Sequence, residues 1–183
     1  MSTSKRIPIA LVVTAALAIA ACAVPPPAGK PPALGTSVSA EEVARWDISI
    51  PPSGAGLPKG SGSARQGLQV YEQKCLACHG AKGVGKPADV LVGGVGLLAS
   101  KTPLRTVGSY WPYATTLFDY VRRSMPITNP LSLSDHEVYA VSAYVLYLNG
   151  IVSEDDQMNA QSLPLVKMPN RDGFISEWPV RPR

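Results

Sequence analysis

The sequence predicts an all-α domain with irregular segments on either side, and three apolar stripes with helical spacing carry this prediction. One stripe lies in residues 64–74, a second in residues 113–124, and a third in residues 138–148. Apolar residues three and four positions apart form one face of a helix. Residues 80–103, between the first two stripes, are rich in glycine and show no consistent period. We therefore expect three helices, with a long loop that wraps closely around something bulky.

Sequence signals at the ends of these segments support the helices. Ser61 or Ser63 can cap the first helix, and Met125-Pro126 ends the second, because proline interrupts helical hydrogen bonding. The third helix starts with Ser134-Asp135-His136-Glu137, which fits a capping box, and Asn149-Gly150 closes it.

The first and third helices are expected to cross at a glycine. Gly67 and Tyr71 of the first helix are predicted to face Tyr144 and Leu148 of the third. Glycine permits close approach of two helices, although it costs up to about 1 kcal/mol in helix propensity.

Composition limits the classes of protein that the chain can belong to. Its 183 residues, 45% hydrophobic and 16% charged, suit one domain with a core and appended segments. The 18 prolines and 16 glycines indicate that much of the chain is irregular. A net charge of +4 without a basic cluster gives no support for nucleic-acid binding.

The N-terminus, residues 1–21, has the pattern of a bacterial export signal. Two basic residues precede the apolar run Ile9–Ala21, which is shorter than the roughly 20 residues that a membrane span needs. The end of this run, Ile19-Ala20-Ala21-Cys22, is similar to a lipobox, and Cys22 would otherwise be a lone thiol in an oxidising compartment. Ordinary cleavage after Ala23 is the alternative. We expect a periplasmic protein that is anchored to a membrane by lipid on Cys22.

Two further segments flank the predicted domain, which covers residues 63–150. Residues 22–62 are rich in proline and glycine, with an apolar island at residues 41–50, and they predict a tether or an arm that docks a partner. Residues 151–183 contain an acidic run and several prolines and predict an irregular C-terminal tail.

The residues with clear chemistry are Cys75-Leu76-Ala77-Cys78-His79, a C-x-x-C-H motif. Two thiols at this spacing form thioethers with the two vinyl groups of one haem, and the next residue offers its imidazole to the iron. The alternatives are a zinc site, a thioredoxin-type dithiol and a strained Cys75–Cys78 disulfide. Zinc needs four ligands, and His136 and Cys22 are the remaining plausible donors. The dithiol lacks its β-α-β context. The motif therefore predicts one covalent haem c with His79 as an iron ligand.

The second axial ligand is predicted to be Met125. It lies between the second and third predicted helices and is followed by Pro126, which fixes the backbone. A methionine ligand favours ferrous iron. Met168 is the rival, and His136, which we expect to be a solvated residue at a helix start, is a weaker one. Candidates for hydrogen bonds to the haem propionates are Arg105, Tyr110 and Trp111.

With this motif, the Met125-Pro126 step and the capped last helix, residues 63–150 resemble the class I cytochromes c. The resemblance implies a small all-helical fold in which the N- and C-terminal helices cross beside one nearly buried, covalent haem. It also implies haem attachment at Cys75 and Cys78 and axial ligation by His79 and Met125.

Further segments resemble the cytochrome subunit of Sox sulfane dehydrogenase. They are Trp46-Asp47-Ile48, residues 56–62, residues 106–120, residues 138–149 and residues 168–174. In those systems, and in related sulfite dehydrogenases, a molybdenum protein oxidises the sulfur compound and the cytochrome removes electrons one at a time. The Sox subunit typically carries a second haem domain, whereas this chain has one C-x-x-C-H.

The resemblance implies an electron-transfer protein rather than a catalyst. It would be a subunit or acceptor of a molybdenum-containing dehydrogenase for sulfite or a related sulfur compound, passing electrons to a downstream cytochrome or oxidase. A general carrier that feeds a terminal oxidase is the second interpretation. A haem enzyme or gas sensor, which requires an open sixth iron position, is the third.

Overall fold

The computed structural model describes residues 34–175 and Trp178. Five α-helices lie in these residues: α1 (Ala40–Trp46), α2 (Ala64–Lys74), α3 (Leu76–His79), α4 (Ala114–Ser124) and α5 (Asp135–Leu148). Two strands of two residues each, β1 (Ser61–Gly62) and β2 (Met158–Asn159), pair in antiparallel orientation. Short 3-10 turns cover Ala81–Gly83 and Leu163–Leu165. The expectation of a mostly helical fold is confirmed.

The chain divides into two units, residues 1–43 and residues 44–183. Of the first unit the structure describes residues 34–43, which are exposed. The predicted signal peptide at residues 1–21 and the predicted lipidation site Cys22 lie outside the described residues. Within residues 34–175, no helix is both long enough and apolar enough to cross a membrane.

Helices α2 and α5 cross at Gly67, as the sequence predicted. A Cβ atom on Gly67 would overlap the backbone carbonyl of Ala140, so only glycine allows this crossing distance. One turn further along, the rings of Tyr71 and Tyr144 pack with centroids 5.2 Å apart. The crossing fixes the end of α2, where the C-x-x-C-H motif begins.

Capping boxes start both crossing helices. Ser63 caps α2, and the side chain of Gln66 bonds back to the N–H of Ser63. Of the two predicted capping residues, Ser61 and Ser63, the structure therefore uses Ser63. Ser134 caps α5, and the carboxylate of Glu137 accepts the backbone N–H of Ser134 at 2.8 Å.

The core is formed by α4, α5 and the segment after β2. The rings of Phe118 and Tyr139 pack 4.5 Å apart, and both side chains are fully buried. Leu146 of α5 and Leu163 of the C-terminal segment belong to the same buried cluster. The last helix therefore contacts α2 on one side and α4 on another.

Parts of the flanking segments pack on this helical core. The N–H of Ile50 donates to Oδ1 of Asp119 at 2.9 Å, and the Tyr139 hydroxyl donates to the Pro58 carbonyl at 2.9 Å. Nδ1 of His136 lies 2.9 Å from the carbonyl oxygen of Ser61. His136, expected to be solvated, is exposed but also holds β1 against the start of α5.

Candidate haem site

The C-x-x-C-H motif forms a single helical turn directly after α2. Cys75, the residue between α2 and α3, donates its N–H to the carbonyl of Tyr71 at 2.9 Å. The N–H groups of Cys78 and His79 both point to the Cys75 carbonyl, at 3.1 and 3.0 Å. Both thiols are unpaired, so the disulfide alternative is not the state of this structure.

The His79 imidazole is oriented by the loop that follows it. Its Nδ1 lies 3.0 Å from the backbone carbonyl oxygen of Asp89. Because a carbonyl oxygen can only accept, Nδ1–H is the donor of this bond, and in this tautomer of the neutral ring the Nε2 lone pair can bind a metal. This is the arrangement that metal-ligating histidines use, and it raises the basicity of the ligand.

Three hydrogen bonds hold the loop after the motif in place. The Tyr71 hydroxyl donates to the Gly80 carbonyl at 2.8 Å. The N–H of Gly85 donates to the His79 carbonyl at 2.8 Å, and the N–H of Ala88 donates to the Cys78 carbonyl at 2.9 Å. The loop thus returns to the motif and places the Asp89 carbonyl beside the imidazole.

The acidity of Cys75 does not suit a reactive dithiol. Burial raises the pKa of the Cys75 thiol to about 11, whereas the attacking cysteine of a redox dithiol has a lowered pKa. Among residues 34–175, no three His, Cys, Asp or Glu side chains cluster as metal ligands, so a structural zinc site has no support there.

The structure places the three downstream methionines in different settings. Met125 follows the last residue of α4, donates its N–H to the Val121 carbonyl at 3.0 Å and is half-buried. Met158 and Met168 are core residues, only 5% and 3% exposed. Met125 therefore remains the better candidate for a distal ligand, and its ligation stays a prediction.

Comparison with known proteins identifies the family. Residues 62–145 match the family model described as cytochrome c oxidase, cbb3-type, subunit III. A chain in the crystal structure of the sulfane dehydrogenase SoxCD from Paracoccus pantotrophus is 38% identical, with a TM-score of 0.75. The match covers 80% of this chain and 73% of that chain. No curated protein sequence matches.

The chain is a class I c-type cytochrome. It is therefore an electron-transfer protein rather than a catalytic enzyme, and its cofactor is haem c. Domains of this family are typically periplasmic or otherwise extracytoplasmic. The likeness to the cytochrome subunit of sulfane dehydrogenase, expected from scattered segments, is confirmed.

The residues of the cytochrome fit a porphyrin in two ways, through apolar side chains and through their thiol and imidazole groups. Large apolar side chains are unusually exposed between the motif and α5, and a flat apolar ligand needs such partners. They are Val84, Val95, Leu97, Leu104, Ile127 and Leu131, which are 38–72% exposed. Together with two free thiols and an oriented imidazole, they fit a covalently held haem.

The three predicted propionate partners have contacts of their own. The guanidinium of Arg105 lies 5.7 Å from the ring centroid of Tyr110, and Trp111 packs edge-on against Tyr120 at 5.6 Å. Their roles toward the propionates stay predictions.

Sequence reasoning missed the polar residues that hold the glycine-rich loop. Thr106 and Ser109 are buried, and the Thr106 hydroxyl donates to the Gly93 carbonyl at 2.6 Å. Asn149, interpreted as the residue that closes α5, binds the same loop through its side chain. The sequence does show polar residues after the glycine-rich stretch. It does not show which backbone groups of the loop they bind, because those groups are distant in sequence.

Proposed function

We propose that Cys75 and Cys78 hold one haem c through thioether bonds and that His79 and Met125 are its axial ligands. The free thiols, the Nδ1–Asp89 hydrogen bond and the position of Met125 after α4 support this assignment. The haem supplies a one-electron change at iron. With His79 and Met125 both held by the fold, these side chains would need little rearrangement for a one-electron change at the bound haem.

We propose further that the cytochrome accepts electrons, as subunit or dedicated acceptor, from a molybdenum-dependent dehydrogenase for sulfite or a related sulfur compound. One observation carries this proposal. The family model matches residues 62–145, less than half of the chain, whereas the likeness to the sulfane dehydrogenase chain covers 80% of it. The shared part therefore extends into the flanking segments, which a generic haem domain does not need.

The chain's own residues support transfer without proton chemistry. The His79 ring is oriented by its bond to the Asp89 carbonyl, and neither cysteine would be available as a base once alkylated. The exposed apolar side chains between the motif and α5 would pack against the bound cofactor and keep water from it. Cys78 on α3 is exposed, so a haem attached there would be accessible to an electron-donating partner.

A general carrier for a terminal oxidase is the second candidate, since the matching family model describes an oxidase subunit. Dedicated reduction by a sulfur-compound dehydrogenase separates the two. The test uses the purified holoprotein with a molybdenum sulfite dehydrogenase and sulfite, followed by the visible spectrum of the haem in a stopped-flow instrument.

The control in this test is an unrelated monohaem cytochrome c of similar net charge. We expect the holoprotein to be reduced at least tenfold faster than the control, and only when enzyme and sulfite are both present. Equal rates for the two cytochromes would support the general carrier instead. A sulfane dehydrogenase with its sulfane-sulfur substrate serves as the second donor pair, so that the test covers sulfite and a related sulfur compound.

We also propose export and lipidation at Cys22, as the N-terminal sequence predicts. Two acyl chains would hold the protein at a membrane surface. Mass spectrometry of the mature N-terminus should find a diacylated Cys22, and Cys22→Ser should release the cytochrome into the soluble periplasmic fraction. An unmodified N-terminus after Ala23 would overturn the lipid anchor and leave export intact.

A further inference from the structure

Asn149, the residue after α5, forms hydrogen bonds with both polar atoms of its side-chain amide, and it binds the loop at residues 91–93. Its Oδ1 accepts the N–H of Gly93 at 3.1 Å, and its Nδ2 donates to the carbonyl of Leu91 at 3.2 Å. Nδ2 also donates to the carbonyl of Val145, one turn back in α5, at 2.9 Å. One acceptor and two donors match their partners, which fixes the amide orientation. The side chain therefore joins the end of α5 to residues 91–93.

The other side of the same loop is also fixed. The Thr106 hydroxyl donates to the Gly93 carbonyl at 2.6 Å, so both polar groups of Gly93 are bonded. The N–H of Leu91 donates to the Gly83 carbonyl at 2.8 Å. Gly108 packs so closely on the Asn149 side chain that a Cβ atom there would overlap the amide.

This loop carries the hydrogen-bond acceptor of His79. The carbonyl oxygen that faces Nδ1 belongs to Asp89, two residues before Leu91. A carbonyl keeps its direction only if the peptide chain on both sides is held. Before Asp89, the chain is held by the bond from Ala88 to the Cys78 carbonyl, and after it by the bonds of residues 91 and 93.

We infer that Asn149 is a positioning residue for the iron ligand His79, acting through residues 91–93 and the Asp89 carbonyl. This inference rests on the proposed ligation of the haem by His79. Partners that bind the distal nitrogen of a metal-ligating histidine set its orientation and its basicity. They are also one of the ways in which a protein tunes the reduction potential of a haem.

The direction of the effect follows from this chemistry. A firm Nδ1–H bond to a carbonyl makes the imidazole a stronger electron donor, which stabilises ferric iron and lowers the potential. If Asn149 no longer holds the loop, this bond becomes longer or more mobile. The potential should then rise, and the Nδ1 proton should exchange with solvent faster.

The test compares two holoproteins with the unmodified one. Asn149→Leu keeps the size of the side chain and removes all three hydrogen bonds. Tyr139→Phe removes the hydroxyl bond to the Pro58 carbonyl and serves as a control for lost stability, because this bond lies on the N-terminal arm. Measured are the reduction potential, the exchange rate of the His79 Nδ1 proton by NMR, and thermal unfolding.

We expect both variants to lose stability but only Asn149→Leu to change the haem. Its equilibrium constant for electron exchange with a reference couple should shift about threefold to tenfold toward the reduced form, and the tenfold limit is about 59 mV for one electron. Exchange of the Nδ1 proton should be at least tenfold faster. If Asn149→Leu fails to assemble, Thr106→Val weakens the same loop from the other side and should shift both quantities in the same direction.

Two negative outcomes are distinguishable. An unchanged potential and unchanged proton exchange in Asn149→Leu, with His79 still on the iron, would overturn the role of Asn149 and leave the proposed site intact. An unmodified holoprotein whose NMR spectrum shows no histidine ligand would overturn the site, and this inference with it.

Discussion

The Tyr71 hydroxyl donates a hydrogen bond of 2.8 Å to the backbone carbonyl of Gly80, the residue that follows His79. Tyr71 is 1% exposed and packs against Tyr144, so its ring position is set by the crossing of α2 and α5. The helix crossing is therefore bonded directly to the residue that follows the C-x-x-C-H turn, the proposed haem-binding site. Assembly of the core and placement of the motif are linked through one side chain.

Removing this hydroxyl should destabilise the protein. Tyr71→Phe leaves the Gly80 carbonyl without its donor, and we expect a loss of about 1–3 kcal/mol in the free energy of unfolding. Urea unfolding followed by circular dichroism measures it. Tyr120→Phe, at an exposed ring, is the matched control and should stay within about 0.5 kcal/mol. Equal effects of the two substitutions would show that the Gly80 bond contributes nothing.

Alkaline pH should weaken the fold through the same tyrosine. Burial raises the pKa of Tyr71, and likewise that of Tyr139, from 10.0 to about 12. Because the folded state favours the neutral phenol, this contribution is complete below pH 10 and is lost as pH rises toward 12. The free energy of unfolding should fall over that window. In the double variant Tyr71→Phe, Tyr139→Phe the fall should be clearly shallower, and an unchanged slope would contradict the assignment.

Low pH should destabilise the start of α5. Hydrogen bonds from Lys74, at 2.9 Å, and from the backbone N–H of Ser134 lower the pKa of Glu137 to about 2. The contribution of a carboxylate with a lowered pKa is complete above its ordinary value, 4.5, and is lost as pH falls toward 2.

Glu137→Gln should therefore lower stability at pH 6 by about 1 kcal/mol and flatten its dependence on pH between 4.5 and 2. Unfolding by urea at several pH values checks both. Lys74→Met should produce part of the effect, since it removes the largest cause and leaves the Ser134 cap. A pH profile of Glu137→Gln that is identical to that of the unmodified protein would reject this role.

The helix crossing gives a steric prediction. Gly67→Ala gains helix propensity but drives a methyl group into the backbone of Ala140, and overpacking of this kind typically costs about 1–3 kcal/mol. Gln69→Ala, at an exposed position of the same helix, is the control and should be neutral. Thermal unfolding separates them, and a Gly67→Ala protein as stable as the control would mean that the helices can move apart freely.

Much of this fold could be predicted because its signals are local. The capping box at Ser134, the end of α4 before Met125-Pro126 and the helical face with Gly67 and Tyr71 depend on residues a few positions apart. The C-x-x-C-H motif is local as well, since one turn of helix brings both thiols and the imidazole together.

The remaining features depend on contacts that no local pattern contains. In the sequence, Asn149 indicates only the end of a helix, yet its side-chain amide binds residues more than fifty positions earlier. His136 looks like a solvated helix-start residue, yet its ring binds the backbone of Ser61. The Asp119 carboxylate that holds Ile50 lies on α4, where it resembles an ordinary surface charge. Such partners become visible only when the chain is folded.

Substitution of Met125 and of its rival Met168 tests the identity of the distal ligand. Met125→Leu should abolish the NMR signal of an iron-bound methionine methyl group, which lies far upfield in the reduced protein. Met168→Leu should retain this signal and lose stability slightly, because Met168 is 3% exposed in the core and leucine is of similar volume. The opposite pattern would make Met168 the ligand.

The most direct test of an electron carrier with both axial positions occupied is addition of carbon monoxide to the reduced holoprotein at neutral pH. With His79 and Met125 on the iron, we predict an unchanged visible spectrum over minutes, and rapid binding only in Met125→Leu. Rapid binding by the unmodified protein would show an open or readily displaced sixth position. That result would contradict the proposed ligand pair and favour a gas-binding or catalytic haem protein.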